Sequence, residues 1–331
     1  MAPILWMVVP CYNEEEVLPV TAPLFSQEIK ALVDDGLVSD ESLVLFVNDG
    51  SSDRTWEIIE GLAAANSYIA GISLSRNRGH QNALLAGLME ARSHCDITIS
   101  LDCDGQDDIT AARRMVQAWH NGSEVVYGVR SSRKTDSAFK RLSAEGFYRL
   151  LGAMGADVVF NHADYRLLGR RALDALSQFG ETNLFLRGLV PMLGYPSSVV
   201  EYERAERTAG ESHYPLSKML HLAFDGATSL SVKPIRTVTI LGFIFSLLGL
   251  AGVAWALASL WAGSTVAGWA STVCLVSLLG GLQLLGLGVI GEYVGKIYLE
   301  VKNRPRYIVA QRTWKEHAPR MGGDSPTTIA P

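Results

Sequence analysis

Along the first part of the chain, short apolar runs alternate with amphipathic stretches. Ile4–Val9, Leu43–Val47, Tyr68–Leu74, Ile97–Leu101 and Val125–Val129 are rich in β-branched and aliphatic residues and read as strands. Between them, about Asp53–Ala65, His80–Arg92 and Thr110–Trp119 carry helical spacing. Strands alternating with helices predict an α/β domain, a mostly parallel sheet with helices on its faces. Each apolar run stops at a polar cluster: Pro10-Cys11-Tyr12-Asn13, Asn48-Asp49-Gly50, Ser75-Arg76-Asn77, Asp102-Cys103-Asp104 and Arg130. Ligands of parallel sheets bind beyond the carboxyl ends of the strands, so these clusters are expected to converge on one cleft.

The pattern changes after Ser231. Thr237–Trp261 carries no charge, and a bilayer core takes about 20 residues to cross. A second run, about Val266–Val294, has Glu292 near its end as its one charge. Lys233 and Arg236 precede the first run and Lys296, Lys302, Arg304 and Arg306 follow the second, whereas the linker Ala262-Gly263-Ser264-Thr265 has no basic residue. This bias predicts a two-helix transmembrane hairpin with both termini and the hydrophilic domain on the cytoplasmic side. In Tyr214–Leu230, Leu216, Met219, Leu220, Ala223 and Phe224 fall at helical spacing. Two readings fit them: a helix lying in the lipid interface, or an amphipathic helix packed on the domain. Glycines from Gly280 to Gly291 predict close helix contact, within the hairpin or between subunits of a homo-oligomer. The expected organisation is a cytoplasmic domain over 1–212, juxtamembrane helices over 213–235, two spans over 236–298 and a cytoplasmic tail over 299–331.

Composition sharpens this picture at two points. A formal net charge of -5 argues against a nucleic-acid binder, which usually shows a basic stripe. Four scattered cysteines have neither metal spacing nor a compact framework and read as free thiols. The chemistry centres on Asp102-Cys103-Asp104-Gly105-Gln106-Asp107-Asp108, directly after an apolar strand. Its carboxylates and amide are hard oxygen donors suited to Mg²⁺ or Mn²⁺ bridging a diphosphate. Alone, such a loop is a common solvated turn. Its company is Asp49 and Asn13-Glu14-Glu15 at neighbouring strand ends. Asp49 is the expected nucleotide contact, and Asp53 with Ser51 or Ser52 suits a helix cap.

These motifs resemble the donor site of the family-2 glycosyltransferases with the GT-A fold. The likeness lies in Val8-Val9-Pro10-Cys11-Tyr12-Asn13-Glu14-Glu15, Asn48-Asp49-Gly50-Ser51-Ser52-Asp53-Arg54-Thr55, Ser75-Arg76-Asn77 and the acidic loop. Asp164-Tyr165-Arg166-Leu167, Arg207-Thr208-Ala209-Gly210-Glu211-Ser212 and Gly291-Glu292-Tyr293-Val294-Gly295-Lys296 are similar to the branch acting on bactoprenol and dolichol phosphates. The resemblance implies transfer of a hexose, glucose foremost, from a UDP-sugar to a polyprenyl phosphate with inversion. It implies donor contacts at Pro10, Tyr12, Asn13, Glu14, Asp49, Asn77, Asp102, Asp104 and Arg207. Asp104 and Gln106 would ligate the Mg²⁺ or Mn²⁺ ion, and Arg130, Arg141 and Ser143 would take the acceptor phosphate. Asp164 either positions the sugar or is the structural partner of Arg166. Two departures from that family are His80 and His213, at positions where it often carries Lys. A processive polysaccharide synthase would need a Gln-x-x-Arg-Trp motif, which Gln311-Arg312-Thr313-Trp314 does not match. A non-catalytic membrane scaffold is the other alternative, and Mn²⁺-dependent UDP binding separates it from the enzyme.

Overall fold

The computed structural model describes residues 2–130, 162–181, 185–203, 233–262 and 268–314. The chain forms two compact units, Met1–Gly105 with Tyr307–Pro331, and Gln106–Arg306.

In the first unit, β1 (Leu5–Cys11), β2 (Leu43–Asn48), β3 (Ile69–Leu74) and β4 (Ile97–Ser100) form a parallel sheet in the order β4-β1-β2-β3. All seven residues of β1 are buried, the mark of a strand covered on both faces. Helix α1 (Leu18–Asp34) buries Leu18, Thr21, Ala22, Phe25, Ile29 and Leu32, a stripe at i, i+3, i+4 and i+7. Phe25 meets Phe46 of β2 with ring centroids 6.2 Å apart. Helices α2 (Thr55–Ala65) and α3 (His80–Ala91) complete the layers. α3 comes so close to the sheet at Gly87 that a Cβ there would lie 2.4 Å from Val8 and 2.7 Å from Val47. The expected strands and helices are present, with ends shifted by one or two residues. A fifth strand, β8 (Val309–Arg312), lies antiparallel on β3, and Arg312 reaches Glu90 of α3 through two bonds of 2.8 and 3.0 Å. The sequence pattern offered no strand there, because four residues are too few to show a period.

In the second unit, β5 (Val125–Arg130) runs parallel to β7 (Ser197–Tyr202) and antiparallel to β6 (His162–Gly169). Around them lie α4 (Ala111–His120), α5 (Arg170–Leu176) and α6 (Leu186–Met192). Two long helices follow, α7 (Lys233–Trp261) and α8 (Trp269–Val301). Among the described residues, Leu278–Val301 of α8 is long and apolar enough to cross a membrane, and the apolar stretch of α7, Val238–Gly249, is shorter. Large apolar side chains point outward from both, including Phe243, Leu248, Leu284 and Leu287. The expected juxtamembrane segment Tyr214–Leu230 and the linker residues after Ala262 lie outside the described residues.

Candidate active site

The first unit gathers its polar loops at the carboxyl ends of β1, β2 and β3. Asn48 donates from Nδ2 to Ser73 Oγ at 2.8 Å, and its Oδ1 accepts the Ser51 N–H at 3.1 Å. Asp49 is 2% exposed, and its two oxygens accept the N–H groups of Arg78 and Gly79 at 2.7 and 2.8 Å. Burial raises its carboxyl above the ordinary range; those two bonds and the charges of His80 and Arg78 oppose the rise. Gly50, at φ +63°, sits against the loop after β3. A Cβ there would meet Arg76 C at 2.4 Å and Asn77 N at 2.5 Å. One aspartate and one glycine therefore clamp the loops after β2 and β3 together.

The loop after β1 is locked to the loop after β2 in turn. Asn13 adopts φ +55°, a left-handed conformation that Asn tolerates better than most residues. Its N–H donates to Ser51 Oγ and its Oδ1 accepts the Ser52 N–H, both at 2.9 Å. Glu14 N–H donates to Thr55 Oγ1 at 2.8 Å, and Glu15 N–H to Asp53 Oδ2 at 3.1 Å. Asp53 also accepts the N–H of Thr55, the first residue of α2, at 3.0 Å, although the cap position itself falls on Arg54 rather than on the expected Asp53. Desolvation pushes its carboxyl up, but the bonds from Thr55 and Glu15 outweigh that and leave it lowered. On this edge Tyr12, Asn13 and Asn77 are exposed, Glu14 is half-buried and Pro10 is buried.

Asp102 and Asp104 follow β4 and are half-buried, and His80 Nε2 stands 3.7 Å from Asp102 Oδ1. Between the two aspartates Cys103 is buried, with Thr21 Oγ1 4.0 Å from its Sγ. Burial, then Cys103 and Glu14, push the Cys11 thiol upward, so it stays protonated. Among the described residues no group of three or more His, Cys, Asp or Glu side chains is set to enclose a metal ion. Mg²⁺ on a diphosphate needs only one or two carboxylates, the phosphate oxygens and water. The half-buried Asp104 carboxylate, a hard oxygen donor open to water, suits such an ion.

The second unit opens with Gln106 and Asp107, each 7% exposed. Tyr202 at the end of β7 donates its hydroxyl to Asp107 Oδ1 at 2.7 Å. Arg130 Nη2 lies 3.6 Å from the same oxygen, and Arg130 Nε donates to the Tyr202 hydroxyl at 3.4 Å. Burial, then the Asp107 charge and its hydrogen bond, push the Tyr202 phenol far up, which keeps it a donor. On β6, Asp164 is 4% exposed and Arg166 is 1% exposed. Asp164 accepts from Arg166 Nη2, and from Arg187 Nε and Nη2 at 3.2 and 3.1 Å. Arg166 donates further to Leu186 O at 3.1 Å. Of the two roles open for Asp164, the partnership with Arg166 is present. Arg141, Ser143, Arg207 and His213 lie outside the described residues. Nothing in the local pattern singles out Tyr202 or Arg187, whose partners lie 95 and 23 residues away.

A family model described as Glycosyl transferase family 2 matches residues 6–177. A Bacillus subtilis protein named uncharacterized glycosyltransferase YkoT is 50% identical over 93% of this chain and 91% of its own. The SfII prophage-derived bactoprenol glucosyl transferase of Shigella flexneri is 39% identical over 92% of this chain and 96% of its own. Among solved structures, glucosyl-3-phosphoglycerate synthase of Mycobacterium tuberculosis aligns with a TM-score of 0.44 and 21% identity, over 69% of this chain and 79% of that one.

Proposed function

This chain belongs to glycosyltransferase family 2, and we propose that it transfers a hexose, glucose foremost, from a UDP-sugar to a polyprenyl phosphate at the cytoplasmic membrane face. One observation carries the acceptor assignment: α8 turns Leu284, Leu287, Val294 and Ile297 outward at 57–71% exposure. A surface of that kind is matched to hydrocarbon rather than water. A sugar-transferring chain that carries it is suited to an acceptor confined to the bilayer. The bactoprenol glucosyl transferases among its relatives support the same reading. In this reading α7 and α8 both span the membrane, with both chain ends on the cytoplasmic side.

The donor roles follow the strand ends. Pro10, Tyr12, Asn13, Glu14, Asp49, Asn77 and Asp102 hold the nucleoside end, and Arg207 grips the diphosphate. Asp104 and Gln106 hold Mg²⁺ or Mn²⁺, which when bound neutralises charge gathering on the departing diphosphate. Arg130 and Arg141, with Ser143, take the acceptor phosphate, for which a guanidinium offers a planar fork of donors. A phosphate monoester is already anionic near neutral pH, so the protein needs alignment and charge stabilisation more than a strong base. Asp164 is assigned the structural one of its two roles. Attack in one step from the opposite face inverts the anomeric centre, and NMR of the product reports the configuration directly.

The experiment is transfer of radiolabelled sugar from UDP-glucose to undecaprenyl phosphate by the purified full chain with Mg²⁺ or Mn²⁺, beside Asp104→Ala. A labelled lipid that disappears in the variant is the expected result. Product from a different nucleotide sugar would change the donor and keep the acceptor. Binding of UDP with no product from any donor would overturn the acceptor assignment.

A further inference from the structure

Arg130 and Tyr202 are register partners at the ends of the parallel strands β5 and β7. The Tyr202 ring is 2% exposed and stands edge-on to Tyr165, with centroids 5.2 Å apart. Tyr165 in turn donates to the carbonyl of Asp108 at 3.1 Å. Two tyrosines thus pin the Asp107-Asp108 segment, one by its side chain and one by its backbone. The Asp107 carboxylate then faces the guanidinium of Arg130, whose side chain is 28% exposed.

A long arginine loses rotamer freedom when it grips a ligand, and binding is tighter when that freedom is restricted before the ligand arrives. The phenol bridges the two charges. A direct Arg–Asp pair would need no third member. With the hydroxyl donating to Asp107 and accepting from Arg130 Nε, the guanidinium is held through its Nε/Nη2 edge and its direction is fixed.

We infer that Tyr202 is a positioning residue, whose hydroxyl, anchored on Asp107, aims the Arg130 guanidinium at the phosphate monoester of the acceptor. The inference rests on the proposed role of Arg130 and extends it to two further side chains, Tyr202 and Asp107.

The test is steady-state kinetics of the full chain, varying polyprenyl phosphate at saturating UDP-sugar and then the reverse. Tyr202→Phe keeps the ring and its contact with Tyr165 and removes only the hydroxyl. It is expected to raise the acceptor KM about three- to tenfold, the cost of ordering one rotamer-rich side chain on binding, with donor KM and kcat within about twofold. Combined with Arg130→Ala it adds nothing further to the acceptor KM, because the hydroxyl acts through that arginine. An acceptor KM unchanged in Tyr202→Phe but raised in Arg130→Ala would overturn the positioning role and leave Arg130 in place. An unchanged acceptor KM in Arg130→Ala would overturn the reading of Arg130 and this inference with it. Equal losses for donor and acceptor would mark a merely structural tyrosine. Asp107→Asn decides independently, should the Phe variant not fold. A raised acceptor KM is expected if the carboxylate anchors the arginine, whereas a lowered or unchanged one refutes the anchor.

Discussion

The two units hold their polar residues in place by different means. In the first, most of the strand-end side chains bond to backbone groups nearby: Asp49 to Arg78 and Gly79, Asn13 to Ser52, Asp53 to Thr55 and Glu15. In the second, side chains hold side chains: Asp164 with Arg166 and Arg187, and Asp107 with Tyr202 and Arg130. Backbone donors have their direction set by the chain that carries them, so the first arrangement tolerates loss of one bond at modest cost. Paired buried charges depend on each other, and removing one leaves its partner badly solvated.

The sharpest way to break this contrast is Asp164→Ala. With Arg166 buried beside it, the expected loss is about 3–5 kcal/mol of stability, read by denaturant unfolding. A variant of normal stability and no activity would instead return Asp164 to sugar positioning. Next comes Gly50→Ala, where the left-handed backbone costs about 1–2 kcal/mol and forcing a Cβ against Arg76 and Asn77 adds about 1–3 kcal/mol. Gly36→Ala is the control: φ is +68° but nothing lies within 4 Å, so only the backbone part of the cost is expected.

Smaller effects separate two carboxylates within one loop. Asp49 has a raised folded pKa, so the native state holds more protons than the unfolded chain in the interval just above the ordinary value. Its contribution therefore falls as pH rises through that interval. Asp53 is lowered, so its contribution is complete above the ordinary carboxylate value and is lost as pH falls through the folded one. Stability measured against pH for Asp49→Asn and Asp53→Asn, each relative to wild type, should show differences of opposite slope. Two slopes of the same sign would contradict the assigned environments. The smallest effect is Arg54→Ala, which removes an ion pair to Glu15 in which the arginine side chain is 75% exposed. About 0–1 kcal/mol is expected from equilibrium unfolding.

How far each region could be read from sequence follows the range of the contacts that shape it. The first four strands and their terminal loops were legible because each motif acts within a few residues: an apolar run, a turn glycine, a capping aspartate. Even there, the contact of Asp49 with the loop after β3 was not readable, since it depends on the sheet bringing residues 49 and 78 together. β6 escaped notice because Asp164 and Arg166 interrupt its apolar pattern, and they are tolerable in a buried strand only as partners. Tyr202 belongs to an edge strand of mixed exposure, and its partner comes from the acidic loop far earlier in the chain. α1 likewise lacked a recognised start, for its N-terminus has no side-chain cap.

β8 carries one more consequence, for the order of events on the ribosome. The outer edge of β3 is paired by Val309–Arg312, made after the entire second unit. At about 5–20 residues per second, β3 waits on the order of ten seconds or longer with its hydrogen-bonding groups exposed. An open strand edge is a template for joining other chains. A nascent chain stalled or cut before residue 309 is thus expected to be sticky even where its first hundred residues have already folded, and completion of the last strand seals it.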